Sequence, residues 1–349
     1  MNSTENRRDL DWAASGFCIG NIAVQNRVVL APMSGVTDAP FRRLVSELGA
    51  GLVVSEMTAS DALIEGNRNA ALRIEGQGVG THVVQLAGCE PHWMAEGAKI
   101  AEGAGADIID INMGCPAKHV ANKQSGSALM RDLDHALTLI EATVGAVALP
   151  VTLKMRLGWD DRSINAPELA RRAEAAGVRL ITVHGRTRCQ FYKGTANWEA
   201  IRAVKDAISI PLVVNGDIRG FVHAEEALNA SGADAVMVGR AAQGRPWLPG
   251  QIARYLETGR KEAAPPLAQQ FKLAATLYDE MLDHHGLRIG LKHARKHLGW
   301  ALDAAAATAG VAFETLKSWR GTVLTSESPA EARTRLAEAY DAFACGVSA

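Results

Sequence analysis

Eight short apolar segments recur between residues 27 and 240, and the stretches between them carry apolar residues at helical spacing. The segments are RVVLAP from Arg27, LVVSE from Leu52, THVVQLAG from Thr81, DIIDIN from Asp107, PVTLKMR from Pro150, LITVHGR from Leu180, PLVVNGD from Pro211 and DAVMVGR from Asp234. Nearly continuous apolar runs rich in Val and Ile are typical of strands in a parallel sheet covered on both faces. Glycines at positions 49, 105, 177 and 232 follow helical stretches, as helix-ending glycines do. The pattern therefore predicts eight consecutive βα units.

Eight such units predict an α/β fold, a closed (β/α)8 TIM barrel of about 250 residues. An open, doubly wound sheet is the alternative, and the lack of a GxGxxG motif after the first strand disfavours it. After Pro246 the alternation stops, Pro265 and Pro266 mark a linker, and the later segments rich in Ala and Leu predict helices alone. We therefore expect a barrel domain at residues 1–250, a linker at 251–266 and a smaller helical domain at 267–349.

Charge and cysteine content narrow the function classes. The 349 residues include 37 Lys and Arg against 38 Asp and Glu, so any contact with nucleic acid must come from local basic patches. Five scattered cysteines favour reduced thiols over a disulfide framework. The first residues contain no apolar signal core, and no apolar run reaches membrane-spanning length. We expect a cytoplasmic protein without a membrane association, and nothing in the sequence indicates an obligate protein partner.

The carboxyl ends of the predicted strands carry an unusual number of polar groups. In a barrel these ends meet at one mouth, so residues far apart in sequence become neighbours. They are Pro32, Met33 and Ser34, then Gln85, Asn112 and Cys115, then Lys154, His184 and Arg186, and finally Asn215, Gly216, Asp217, Gly239 and Arg240. Few structural roles require so many polar groups at one rim, and we therefore predict the functional site there.

Cys115 is the leading catalytic candidate at this mouth. It follows the buried strand DIIDIN and lies between Gly114 and Pro116, which favour non-helical backbone. A lone cysteine is more often a small buried hydrophobic residue, but polar residues follow this one and no CxxC spacing indicates zinc. A thiol at the end of a parallel strand stands where α/β folds keep their chemistry.

Two further features of the mouth indicate a bound anion. Lys154 lies within the apolar run PVTLKMR, and an unpaired buried ammonium is costly. Three explanations are open: a bound anion pairs with the ammonium, a carboxylate such as that of Glu56 pairs with it, or the aliphatic part of the side chain carries it to the rim. The glycines of NGDI and VGRAAQGRP follow the last two strands, where barrels commonly bind a phosphate. The alternative is that these glycines only close tight turns.

Several motifs together resemble a known family. NMGCPAKHVANKQSGSALM, VTLKMRLGW, HGRTR, NGDI and VGRAAQGRPW are similar to segments of the tRNA-dihydrouridine synthases, most closely the bacterial B-type branch, and they extend from about Val29 to Trp300. The resemblance implies a flavoenzyme in which NADPH reduces FMN. The reduced flavin then transfers a hydride to C6 of a uridine in the D-loop of tRNA, and C5 receives a proton.

The resemblance also implies roles for single residues. Cys115 is expected to protonate C5 as a general acid, because an ordinary thiol is mostly protonated at neutral pH. A nucleophilic role remains open, and it requires a base such as His119. Lys154 is expected to stabilise negative charge on the reduced flavin. The other expected FMN contacts are Pro32, Met33, Ser34, Gln85 and His184, with the phosphate at Asn215, Gly216, Asp217, Gly239 and Arg240.

For the RNA substrate, the target base must leave its stack to enter the mouth. By resemblance, Asn112 hydrogen-bonds this base, and Arg186 is a second candidate. Lys118 and Lys123 in the cysteine loop either meet phosphates or are solvated charges. In GLRIGLKHARKHLGW, helical spacing places Arg288, Lys292, Arg295 and Lys296 mostly on one face, which is either a phosphate-binding ridge or a solvated helix face.

Three other functions fit parts of the pattern. The first is an FMN barrel that reduces a free pyrimidine or another small alkene. The second is a cofactor-free lyase or aldolase that uses Lys154 as a Schiff base. The third is an RNA-binding protein whose barrel performs no chemistry. A bound flavin excludes the second, and NADPH oxidation that depends on unmodified tRNA excludes the third.

Overall fold

Each of the eight predicted apolar segments forms a strand of one parallel sheet in the computed structural model, which describes residues 16–117 and 124–346. The strands are β1 Phe17–Ile19, β2 Ile22–Val24, β3 Val28–Leu30, β4 Leu52–Val54, β5 Thr58–Ala59, β6 His82–Ala87, β7 Ile108–Met113, β8 Val151–Arg156, β9 Leu180–His184, β10 Leu212–Asn215 and β11 Ala235–Val238. The sheet order is β4-β3-β11-β10-β9-β8-β7-β6-β5, and a pairing of β4 with β6 closes it. The prediction of a closed TIM barrel is confirmed.

Helices cover the outside of this barrel. They are α1 Ala39–Glu47, α2 Ser60–Ile64, α3 Arg68–Arg73, α4 Pro91–Gly103, α5 Leu133–Ala146, α6 Ala166–Ala175, α7 Arg202–Ala207, α8 Phe221–Ser231 and α9 Leu248–Thr258, with short 3-10 helices at Gly126–Arg131 and Glu199–Ile201. The four glycines predicted to end helices all have positive φ, as at Gly49 (102°) and Gly232 (68°). Glycine adopts this conformation without the strain that a Cβ causes, so each helix stops before the next strand.

The barrel interior is apolar at one end and polar at the other. Strand residues alternate in direction, so one side chain in two points inward. At the amino end, Ile108, Leu180 and Val213 pack with Ile19 and Val24 of the antiparallel β1–β2 hairpin. Removing each such side chain from water stabilises the fold by about 1.5–3 kcal/mol. Polar side chains begin in the middle of the strands and continue to the carboxyl end, where they form the mouth.

The chain divides into two units. The barrel unit comprises the residues up to Gly239 together with Pro249–Arg260, and the helical unit comprises Arg240–Leu248 and the residues from Lys261 onward. This division differs from the expected linker at 251–266, because residues up to Thr258 belong to α9. Gly250 of α9 lies so close to the Leu48 carbonyl that a Cβ there has no room, and the side chain of Arg254 donates a hydrogen bond to the same carbonyl.

The helical unit contains the 3-10 helix Arg240–Ala242 and the helices α10 Leu267–His285, α11 Leu287–Ala309, α12 Phe313–Thr325 and α13 Pro329–Gly346. Gly290 allows α11 to approach α10, since a Cβ at this position falls 2.8 Å from Leu282 Cα. Gly310 ends α11 with φ 67°. Among the described residues, no helix has both the length and the apolar character needed to cross a membrane.

Candidate active site

Asp110 lies at the centre of the polar layer, in the middle of β7, and is 4% exposed. Its Oδ2 accepts a hydrogen bond from Gln85 Nε2 at 2.6 Å, and its Oδ1 accepts one from Thr152 Oγ1 at 2.6 Å. Gln85 and Thr152 are its register partners on the two neighbouring strands. Burial raises the pKa of the Asp110 carboxyl, while the bonds from Thr152 and Gln85 and the charge of Lys154 oppose that rise. Asp110 is not among the predicted site residues, although an acidic residue inside the apolar run DIIDIN is a usable signal.

The hydrogen bonds continue from Gln85 to the cysteine loop. Asn112 Nδ2 donates to Gln85 Oε1 at 2.7 Å, and Asn112 Oδ1 accepts from the backbone N–H groups of Gly114 at 3.2 Å and Cys115 at 2.9 Å. A carboxylate only accepts, so the bond to Asp110 fixes which end of the Gln85 amide is nitrogen. Because Gln85 Oε1 then faces Asn112, the end of the Asn112 amide that points to Gln85 must be its nitrogen. Each of the two amide nitrogens has a second N–H that makes no hydrogen bond to another described residue.

Cys115 is half-buried at the start of the loop that follows β7. Its carbonyl accepts hydrogen bonds from Ser127 Oγ at 2.8 Å and Ser127 N at 3.1 Å, which tie the loop to the 3-10 helix Gly126–Arg131. Lys118, Lys123 and His119 lie outside the described residues. The loop is therefore anchored on both sides of its thiol, by Asn112 before it and by Ser127 after it.

Lys154 pairs in register with Asn112 on β7 and is buried. Burial lowers the pKa of its ammonium to about 8, with a further lowering by Arg156, while Asp110 and Cys115 oppose the change. Its Nζ makes no hydrogen bond to another described residue. The carboxylate that acts on Lys154 is that of Asp110. The alternative partner, Glu56, instead forms an ion pair of 3.5 Å with Arg73. A buried cation without a bonded anion fits a site for an anionic ligand.

Arg156 joins the loops that surround the mouth, and our sequence prediction did not give it a role. Its Nε donates to the Gly114 carbonyl at 2.8 Å, and its Nη1 donates to the carbonyls of Thr187 and Phe191 at 2.8 and 2.9 Å. Burial lowers the pKa of its guanidinium to about 10, so it stays charged at neutral pH. Arg156 thus fixes the cysteine loop against the loop after β9.

Arg186 and Asp217 form a buried pair that supports the mouth. Arg186 Nη2 lies 2.6 Å from Asp217 Oδ2, and the same guanidinium donates to the Lys193 and Gly194 carbonyls and, at 3.2 Å, to His184 Nε2. Arginine has no acceptor, so this Nε2 is the unprotonated nitrogen of His184. Burial raises the pKa of Asp217, but the bonds from Arg186 and Ala196 N outweigh it and leave the pKa below its usual value.

This pair corrects the prediction for Arg186 and restricts the prediction for Asp217. Arg186 is 1% exposed and its guanidinium is used inside the protein, so it does not grip a substrate. The Asp217 carboxylate pairs with Arg186, so a contact of Asp217 with a phosphate is left to its backbone N–H. Both side chains instead hold the loops after β9 and β10 around His184.

Asn215, Gly216 and Gly239 line the end of the mouth where a phosphate was predicted. Asn215 Nδ2 donates to the Met237 carbonyl at 2.8 Å, and the Gly216 carbonyl accepts from Trp198 Nε1 at 2.8 Å. A Cβ built on Gly239 meets only Ala31 and Met33, at 3.7 and 3.9 Å. No described residue crowds Gly239, as a backbone cradle for a phosphate requires.

The first loop and the basic residues complete the predicted set. In the loop after β3, Pro32 and Met33 are half-buried and Ser34 is exposed, and Met33 N donates to Thr37 Oγ1 at 2.9 Å. Arg240 is exposed and opens the 3-10 helix of the helical unit. The four predicted basic residues of the helical unit lie on α11. Arg288, Lys292 and Arg295 are exposed, and Lys296 is half-buried.

The barrel unit thus brings Gln85, Asn112, Cys115 and Lys154 to one end of one sheet. A parallel eight-stranded barrel with a thiol, a buried ammonium and an open glycine cradle at this end defines the class of TIM-barrel enzymes that act on a ligand held at the strand ends. The sequence profile of the family described as "Dihydrouridine synthase (Dus)" matches residues 29–343. The chain belongs to the dihydrouridine synthase family.

The names of similar proteins agree with this assignment, and a solved structure agrees with the fold. The chain is 55% identical to a "Probable tRNA-dihydrouridine synthase" of Rhizobium leguminosarum bv. phaseoli, over 93% of this chain and 98% of that protein. It is 46% identical to "tRNA-dihydrouridine synthase B" of Pseudomonas aeruginosa, over 81% and 86%. The structure of histamine dehydrogenase from Rhizobium sp. 4-9 has a TM-score of 0.54 and 17% identity, covering 77% of this chain. This chain spans about half of that one (51%), and the likeness supports the fold alone. The predicted family and enzyme class are confirmed.

Proposed function

We propose that this protein reduces the C5–C6 double bond of a uridine in the D-loop of tRNA, with FMN as its flavin and NADPH as the source of electrons. The observation that carries this proposal is the juxtaposition of Cys115, Asn112 and Lys154 at one barrel mouth. Family membership supplies the reaction class. Because tRNA and NADPH are cytoplasmic, we place the protein in the cytoplasm.

The residues of the mouth fit a flavin. The unbonded ammonium of Lys154 suits the anionic edge of the pyrimidine ring of the flavin, and the free N–H of Gln85 gives a donor beside it. The open backbone at Gly239, with Asn215 and Gly216, suits the 5′-phosphate. Arg240, His184 and the loop of Pro32, Met33 and Ser34 complete the proposed cofactor contacts. When bound, FMN supplies the hydride that adds to C6.

Cys115 is the proposed proton donor to C5. The two bonds to its carbonyl from Ser127 and the bond from its N–H to Asn112 hold the thiol in place. The second N–H of Asn112 is the proposed donor for a uracil carbonyl oxygen. The same amide therefore positions the acid and binds the base that receives the proton.

The helical unit is the proposed site of further phosphate contacts. Arg288, Lys292 and Arg295 are exposed on α11 at spacings of four and three residues, so their charges lie on neighbouring turns. Such a row suits the backbone of a folded RNA. Lys118 and Lys123 are proposed to add phosphate contacts near Cys115.

The test is an assay of dihydrouridine in tRNA from cells that lack this protein. Complementation with the wild-type chain is expected to restore the modification, and complementation with Cys115→Ala is not. If the purified protein has no flavin absorption band, the proposal that FMN is its cofactor is rejected. Turnover of free uridine at a rate equal to that of tRNA favours the small-alkene alternative.

A further inference from the structure

Three consecutive loops at the barrel mouth carry aromatic rings and guanidinium groups that the proposed reaction does not use. Trp159 lies in the loop after β8, and Phe191 and Tyr192 lie in the loop after β9. Phe191 and Tyr192 are 44% and 47% exposed, although large apolar side chains are usually buried. Because strand ends define the mouth, these rings stand at its edge and outside the layer of Asp110 and Lys154.

Two arginines stack on Trp159. The Cζ of Arg131 lies 4.9 Å from the centroid of the Trp159 ring, and the Cζ of Arg188 lies 4.7 Å from it. Neither guanidinium forms an ion pair with a carboxylate of the described residues, and Arg188 Nε is buried without a hydrogen-bond partner there. The nearby Asp160 accepts hydrogen bonds from Ser163 Oγ at 2.9 Å and from a backbone N–H at 3.0 Å, so it closes its own turn.

The loops are held in this arrangement by backbone hydrogen bonds. Cys189 N donates to the Trp159 carbonyl at 2.9 Å, and Arg188 N donates to the Gly158 carbonyl at 3.0 Å. Phe191 has φ 56°, a left-handed conformation that is unfavourable for a residue with a side chain, and Arg156 Nη1 holds its carbonyl. Phe191 is therefore exposed on a loop whose backbone is held by hydrogen bonds.

We propose that Arg131, Trp159, Arg188 and Phe191, which we call the aromatic rim, bind the unpaired nucleotides that flank the target uridine. This proposal rests on the proposed function. Phe191 offers a ring on which a flanking base stacks. Arg131 and Arg188 bind the adjacent phosphates, and the Trp159 ring holds the two guanidinium groups in position.

The chemistry of the rim favours RNA. Stacking on aromatic rings and contact with arginine are the means by which proteins bind unpaired nucleotides, and they need no particular base sequence. A base that leaves its stack exposes the faces of its two neighbours, and these must then lie near the mouth. Arg131 ends the 3-10 helix that Ser127 ties to Cys115, so the rim is continuous with the loop that carries the thiol.

The test measures binding of an unmodified tRNA transcript to the full-length protein at several salt concentrations. Phe191→Leu is expected to weaken binding about tenfold, and Phe191→Tyr, which keeps the ring, to retain it. Arg131→Gln and Arg188→Gln are each expected to reduce the slope of log affinity against log salt by about 1. Arg179→Gln is the matched control, because Arg179 is exposed beside the amino end of β9. Circular dichroism and flavin content check that each variant is folded.

The proposal for the aromatic rim is overturned if Phe191→Leu binds tRNA as tightly as the wild type. It is also overturned if Arg179→Gln reduces the salt slope as much as the two rim arginine variants do. These binding results are separate from turnover. If the wild-type protein forms dihydrouridine while the rim variants bind tRNA normally, only the rim is rejected. If the wild-type protein forms none and the rim variants still lose affinity, the proposed function is rejected and the rim stands as an RNA-binding surface.

Discussion

Gln85 donates a hydrogen bond of 2.6 Å to Asp110, a carboxylate buried in the middle of a barrel strand. Through Asn112, this bond is connected to the backbone N–H of Cys115. The position of the proposed proton donor thus depends on Asp110 through hydrogen bonds that pass to Gln85 on the neighbouring strand and return to Asn112 on β7.

Replacement of Asp110 tests this connection. Asp110→Leu leaves Gln85 Nε2 without an acceptor, and we expect the free energy of unfolding to fall by about 1–3 kcal/mol and tRNA reduction to slow at least about tenfold. Asp110→Asn is the matched control, because its oxygen still accepts from Gln85 while its nitrogen donates to the Thr152 hydroxyl. Denaturant unfolding and single-turnover rates measure both effects. Equal rates in Asp110→Leu and the wild type contradict the connection.

Lys154 should make stability depend on pH. Its pKa is about 8 in the folded chain against 10.5 for an ordinary lysine. Between these values the unfolded chain binds more protons, so the free energy of unfolding rises with pH from about 8 to 10.5, by about 3 kcal/mol at most. The difference between the wild type and Lys154→Met, measured by urea unfolding of the flavin-free protein at each pH, isolates this group. A difference that is constant with pH rejects the buried cation.

Cys115→Ala should separate the two halves of the reaction. The variant keeps the cradle and Lys154, so we expect it to bind FMN and to be reduced by NADPH, while dihydrouridine formation falls by about 100-fold or more. Stopped-flow absorbance follows the flavin, and mass spectrometry follows the nucleoside. Cys115→Ser is the conservative comparison, since a hydroxyl is a weaker acid than a thiol. Full modification by Cys115→Ala removes the thiol from the mechanism.

Two glycines of the cradle should respond differently to alanine. Gly216 has φ 115°, and a Cβ there falls 2.8 Å from Ala196 and from His184, so Gly216→Ala is expected to lower the thermal midpoint. A Cβ at Gly239 makes only ordinary contacts, so Gly239→Ala is expected to fold normally and to bind FMN at least about fivefold more weakly. Normal FMN affinity in Gly239→Ala rejects the phosphate position.

The basic row on α11 should contribute salt-dependent binding. Arg288→Gln and Lys292→Gln are each expected to weaken tRNA binding and to reduce the salt slope by about 1, because each removes one proposed phosphate contact. Lys317→Gln on α12 is the control, as Lys317 is exposed beside Glu314. Arg295 is less suitable, since it also donates to the Ser326 carbonyl at the end of α12. If the salt slope of tRNA binding is unchanged in both Arg288→Gln and Lys292→Gln, this face of α11 is a solvated helix face and not a phosphate-binding ridge.

The sequence was most informative where a residue's local pattern determines its environment. The eight apolar runs predicted the barrel strands, because a strand covered on both faces cannot carry many polar residues. Cys115 and Lys154 were recognisable as exceptions to that rule. The pattern failed for residues 251–258, which were expected to lie in a linker but belong to α9, where Gly250 packs against Leu48 across some two hundred residues of chain.

Periodicity and local motifs were sufficient to predict the fold class, the family and the residues that reach the strand ends. The role of each polar group at those ends depended on contacts between distant segments, which the folded chain shows. The tertiary structure assigned Arg186 and Asp217 to each other, gave Asp110 the orientation of Gln85, and joined Arg131 to Trp159. Hydrogen-bond partners are chosen by distances of about 3 Å between distant segments, and linear sequence does not contain those distances.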